Sequence, residues 1–169
     1  AFEYGAKIPV HEGYLTLGGG AAHTASIFSK MELRTAILTR VGDDEYGNQI
    51  ALKLREKKIY TDLLQKDHKI PTFLSFIVCI SKKEHEHVAF TYRGANMNLE
   101  IREEDLRKID ASWFYISSLS GEDWLKQVKT LVYYAKNKNI KVAWNPGGMQ
   151  IQAGKNELDD ILDKIDVLI

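Results

Sequence analysis

From Ser112 to Ile169, apolar runs that suit β-strands alternate with amphipathic stretches that suit helices, and this alternation restricts the fold more than any other feature. "SWFYIS" (112–117) precedes a helix expected over about 122–138. "IKVAWN" (140–145), a helix near 156–164 and "DVLI" (166–169) follow. Strands separated by helices pair side by side in parallel, with right-handed crossovers and helices on the sheet faces. The expected class is therefore α/β, with a mostly parallel sheet.

The first half departs from that rhythm. "KIPVHEGYLTL" (7–17) holds β-forming residues interrupted by Pro9 and Gly13 and reads as an edge strand or a bent pair of short strands. A glycine run, Gly18 to Gly20, leads into a helix whose inner face is marked by Ala22, Ala25, Ile27, Phe28 and Met31, ending near Glu32. "RTAILTRVG" (34–42) reads as a buried strand. "GDDEYGNQIALKLREKK" (42–58) offers Asp43 or Asp44 as a helix N-cap and places Tyr46, Ile50 and Leu54 at helical spacing. "PTFLSFIVCI" (71–80) and "HVAFTYR" (87–93), separated by charged residues, read as an antiparallel hairpin. "GANMNLEIREEDLRKI" (94–109) reads as a loop and a short helix. The strands at about 7–17 and 72–93 thus form a small separate sheet, beside an α/β core at about 18–60 and 97–169.

Composition narrows the partners. Among 169 residues, 44% are hydrophobic and 23 basic side chains balance 23 acidic ones, so no global charge favours nucleic acid or an anionic membrane. No apolar run reaches the roughly 20 residues of a membrane span, and a cytoplasmic location is expected. Cys79, the single cysteine, reads as a small apolar strand residue, and Trp113, Trp124 and Trp144 as core. "AFEYGAKIPV" has no initiator methionine and "IDVLI" ends on an apolar strand, so a fragment is expected.

Three adjacent glycines between a strand and a helix present bare amides to a polar ligand. The spacing matches neither G-x-x-x-x-G-K-[ST] nor G-x-G-x-x-G, which disfavours the usual nucleotide loops. His23, on the first helical turn, could reach a ligand hydroxyl through its ring nitrogens. Arg93 and Asn96, in "YRGAN", could contact a ligand at the end of the hairpin. Ser117, Ser118 and Asn145 end expected parallel strands, where open α/β sheets bind ligands. His85 and His87 lie two apart near Glu84 and Glu86, but a solvated hairpin turn explains them better than a metal site.

Taken in order, "GGGAAHTA", "ILTRVGDDEYGNQIALKLREKKIYTDLL", "YRGAN", "WNPGG" and "IDVLI" resemble the ribokinase-like family of carbohydrate and nucleoside kinases over essentially the whole chain. The first family signature falls on Gly18, Gly19, Ala21, Ala25 and Gly42. The family's asparagine falls on His23, and a position usually glycine or serine falls on Glu32. The resemblance implies a Rossmann-like domain with a β-sheet lid and a sugar or nucleoside held by Gly18, Gly19, Gly20, His23, Arg93, Asn96 and Ser118. It also implies ATP and Mg2+ as cofactors, transfer of a phosphoryl group to a hydroxymethyl group, and a homodimer formed through the lid.

The family's glycine-flanked catalytic aspartate does not occur here. Its Asn-x-x-Glu segment would follow "DVLI", and the usual first strand would precede Ala1. The expected function is thus part of a kinase, with the catalytic base outside this chain, which alone would be inactive. The alternative is a non-catalytic sugar- or nucleoside-binding or dimerisation module of the same fold.

Overall fold

The computed structural model describes residues 4–79 and 87–169. Residues 80–86, and with them His85, Glu84 and Glu86 of the histidine pair considered above, lie outside the described residues.

Helix α1 (Gly20–Lys30) buries Ala22 and Ala25. Ile27 and Met31, expected on the same inner face, are exposed. The small side chains pack against Ile37, Leu54 and Ile59, and Glu32, with φ 65°, turns the chain out of the helix. Strand β1 (Thr39–Gly42) leads into α2 (Glu45–Glu56), capped by Asp44, whose carboxylate accepts the Gly47 N–H at 2.8 Å. Leu54 faces fully inward and joins Ala22, Ala25, Ile37 and Ile59 in a small core.

Strand β2 (Leu64–Asp67) pairs in parallel with β1, from Thr39 opposite Leu64 to Gly42 opposite Asp67. Its sequence, "LQKD", carries no alternation and no apolar run, so neither strand signal announces it. Strands β3 (Leu74–Cys79) and β4 (His87–Tyr92) form the expected antiparallel hairpin. Cys79 does lie on a strand but is exposed, because the hairpin stands clear of the body.

A short 3-10 turn (Gly94–Asn98) and α3 (Glu103–Leu106) lead to the second half. There β5 (Trp113–Ile116), β6 (Lys141–Trp144) and β7 (Val167–Leu168) form a three-stranded parallel sheet in the order β5-β6-β7. Between them run α4 (Trp124–Asn137), α5 (Gly148–Ala153), which the sequence reading lacked, and α6 (Lys155–Leu162). The larger core gathers here around Trp144, Val128, Val132, Val142 and Ile161. Trp124 and Trp144 belong to it, whereas Trp113 is half exposed and carries Lys141 Nζ 5.3 Å from its ring centroid.

One expected strand is missing. Residues 7–17 are exposed chain with a bend at His11 and no ladder to any described residue, and only Leu17 is half-buried. Pro9 lacks an N–H to give to a ladder, and Gly13 offers no side chain to pack, so local β-propensity finds no partner strand among the described residues.

Candidate functional site

The loop after β5, residues 117–121, is where the separate segments meet. A Cβ on Gly20 would lie 3.2 Å from Ser117 Cβ, which brings the glycine run to this strand end. The approach is continued along α1 by Phe28, whose ring meets Tyr115 edge-on at 6.2 Å. From the hairpin side, Arg93 Nη1 donates to Ser120 Oγ at 3.2 Å. Gly121, with φ +103°, passes so close to the 3-10 turn that a Cβ would sit 2.2 Å from the Met97 carbonyl oxygen. That contact seats the turn bearing Asn96, whose buried Oδ1 has no hydrogen-bond partner among the described residues.

A buried amide fixes the neighbouring strand end. Gln150, fully enclosed in α5, accepts the Gly147 N–H at 2.8 Å and the Ser118 hydroxyl at 3.3 Å through Oε1, and donates from Nε2 to the Leu119 carbonyl at 2.8 Å. These three bonds all go to the loops that leave β5 and β6. Gln150 and Ser120 escaped the sequence reading, because a glutamine in a short helix and a serine in a loop look the same whether or not they brace a site.

Gly18, Gly19, Gly20, His23, Arg93 and Ser118 all reach the surface, and Asn96 is half-buried. A Cβ on Gly18 or Gly19 would meet nothing within 4 Å, so an open face lies beside this backbone. Gly19 also has φ 95°, which a side chain would disfavour. His23 does not join the others directly. Its Nε2–H donates to the Leu17 carbonyl at 3.1 Å, across the three glycines, which leaves Nδ1 as an acceptor in the neutral ring. Asn145 turns to the Tyr115 hydroxyl, 3.4 Å from its Nδ2.

At the carboxyl ends of β1 and β2 the charges are paired. Asp67 accepts the backbone N–H groups of Lys69 and Ile70 at 2.9 and 3.0 Å, Asn98 Nδ2 at 3.2 Å, and Arg40 at 3.1 Å from Nε and 3.0 Å from Nη2. The two backbone donors, then Asn98 and Arg40, hold its carboxyl far below the ordinary range. Asp44 is pushed up by burial, but hydrogen bonds from Thr72 and Gly47 outweigh that and keep it below the ordinary value.

The parallel sheet with flanking helices defines an α/β protein of the Rossmann-like class, and exposed glycine backbone, hydroxyls, an amide and a guanidinium gathered beyond the carboxyl end of a parallel strand make a candidate site. The family model for pfkB family carbohydrate kinases matches residues 1–169, and the chain belongs to that family. It is 25% identical over 178 residues to fructokinase-2 of Solanum habrochaites, covering 97% of this chain and 53% of that protein. With the fructokinase of Solanum tuberosum it shares 28% over 118 residues, 69% of this chain and 37% of that one. Among solved structures, Arabidopsis thaliana ribokinase complexed with ribose and ATP matches with a TM-score of 0.79 at 23% identity, over 98% of this chain and 52% of that one. Halothermothrix orenii fructokinase matches with a TM-score of 0.69 at 23% identity, over 89% and 55%. The chain thus spans about a third to a half of the length of these relatives.

Proposed function

We propose that the complete protein is an ATP-dependent kinase that phosphorylates a hydroxymethyl group of a sugar or nucleoside, with Mg2+ as cofactor and fructose as the first acceptor to test. Membership of a carbohydrate kinase family supports the reaction class, and the fructokinase relatives support the acceptor. The observation that carries the site is the convergence of Gly20, Arg93, the Asn96 turn and Ser118 on one strand end.

In this reading Gly18, Gly19 and Gly20 offer unshielded amides to sugar hydroxyls, and Ser118 and Asn96 supply acceptors. Arg93 bears on an electron-rich oxygen, and His23 offers Nδ1 where the family has an amide. Among the described residues, no three His, Cys, Asp or Glu side chains converge to hold a metal ion. The β3–β4 hairpin acts as the lid. One of its faces, Leu74, Phe76, Val78, Val88, Phe90 and Tyr92, is apolar and largely exposed, which suits pairing with the lid of a second copy. No described helix is long and apolar enough to cross a membrane, and a cytoplasmic location accompanies the reading.

The test is ADP formation by the complete protein with ATP, Mg2+ and a panel of fructose, ribose and adenosine. Acceptor-dependent ADP is expected with one of the three. Calorimetric binding of one acceptor with no ADP from any of them would instead establish a sugar- or nucleoside-binding module, the reading that His23 in the asparagine position favours.

A further inference from the structure

Both ends of the β3–β4 hairpin are fastened at one point on the body. On the incoming side Thr72, 4% exposed, donates its backbone N–H to Asp44 Oδ2 at 2.7 Å and its hydroxyl to Asp44 Oδ1 at 2.6 Å. The same hydroxyl accepts the Gly42 N–H at 2.9 Å. On the outgoing side the Ala95 N–H donates to the Pro71 carbonyl at 2.8 Å. Gly94, with φ +54°, passes close enough that a Cβ would lie 2.5 Å from that carbonyl oxygen.

Asp44 therefore serves two elements at once. Its Oδ1 accepts the Gly47 N–H and caps α2, a task that one acceptor oxygen on serine or asparagine performs as well. The bonds to Thr72 add nothing to that cap; they hold the place where the chain enters the hairpin. Beyond these roots the hairpin has little to lean on, since Phe76–Cys79 and all of β4 are exposed. Arg93, just past β4, reaches Ser120 in the loop where the candidate site is built. A two-stranded ribbon that buries so little surface takes its direction from its attachments.

We propose that Asp44 is a positioning residue for the acceptor site: its carboxylate, acting through Thr72, sets the angle at which the β3–β4 hairpin stands to the carboxyl end of β5. The consequence for substrate rests on the kinase reading above; the mechanical linkage does not.

The experiment uses the complete protein with Asp44→Asn and Thr72→Ser. Asparagine keeps an oxygen for the Gly47 N–H, so the helix cap survives, but it sets an NH2 donor against the Thr72 backbone N–H that Oδ2 accepts. Serine at position 72 keeps every hydrogen bond described. With any cysteine outside residues 1–169 replaced by serine, spin labels on Cys79 and on Lys126→Cys of α4 read the hairpin against the body, and labels on Glu56→Cys and Lys126→Cys, with Cys79→Ser, read the body alone. Asp44→Asn is expected to broaden the hairpin distances about twofold while the body pair stays unchanged, with Thr72→Ser matching the parent. An unchanged hairpin distribution, or equal broadening of both pairs, overturns the proposal.

In the kinase assay Asp44→Asn should raise the KM for the accepted sugar about tenfold and leave that for ATP unmoved. An unmoved sugar KM removes the substrate consequence. If the unsubstituted protein forms no ADP, the kinase reading fails, and the label distances alone decide the linkage.

Discussion

Ser118 fills the space that a side chain on Gly147 would need: an ideal Cβ there lies 2.1 Å from Ser118 Oγ and 2.7 Å from Ser118 Cβ. The ends of β5 and β6 are thereby matched as a large and a small residue, with Gln150 bonded to both. Gly147→Ala is expected to destabilise the protein by about 1–3 kcal/mol in urea denaturation, because a serine held between strand ends cannot retreat. Gly147→Ala combined with Ser118→Gly should recover most of that loss. Equal stability of the single and double variants would refute the steric account.

Gly18 and Gly19 separate binding from folding. Neither has a neighbour within 4 Å of an added Cβ, but only Gly19 has positive φ. Gly18→Ala should leave stability within about 0.5 kcal/mol of the parent, whereas Gly19→Ala should cost about 1–2 kcal/mol through backbone strain. If the run is a shelf for sugar hydroxyls, Gly18→Ala still weakens acceptor binding about tenfold by calorimetry. Retained affinity would move the acceptor site away from the glycines.

Asp67 makes stability dependent on acid. Its folded-state pKa is depressed, so the stability it contributes is present above the ordinary carboxylate value of 3.8 and drains away as pH falls below it toward the folded value. Urea midpoints measured from about pH 5 down to about pH 2 should fall less steeply for Asp67→Asn than for the parent. Parallel curves would show that other carboxylates govern the acid limb.

Phe76 and Phe90 face each other across the hairpin, 64% and 52% exposed. If this face pairs between copies, Phe76→Lys should weaken self-association at least about tenfold in sedimentation equilibrium, since a charge cannot be buried there without a partner. A parent protein that is monomeric at high concentration excludes the lid dimer.

Spacing alone made the second half of the chain legible. The strands around Trp113, Val142 and Val167 and helix α4 lie where apolar runs and helical periodicity placed them, and of the two caps the sequence offered for α2, Asp43 or Asp44, it is Asp44 that accepts the Gly47 N–H. Strand β2 was invisible, because "LQKD" becomes a strand only by pairing with β1. The opposite error fell on residues 7–17, where β-propensity is present but no ladder forms among the described residues. Ile27, Met31 and Cys79 have inward-looking chemistry and are exposed, since burial depends on what packs opposite and not on the residue itself.

The candidate residues were identifiable as types: glycines before a helix, serines after a strand, an arginine after a hairpin. Their convergence was not. Arg93 and Ser120 are 27 residues apart, and Gly20 meets Ser117 across an even longer stretch of chain. By itself the sequence determined the alternation of strand and helix, the cap on α2 and the hairpin, because each is written in residues a few positions apart. The tertiary structure decided that Gly20, Arg93 and Gln150 all arrive at the end of β5, because only packing and long-range hydrogen bonds choose which distant segments share that loop.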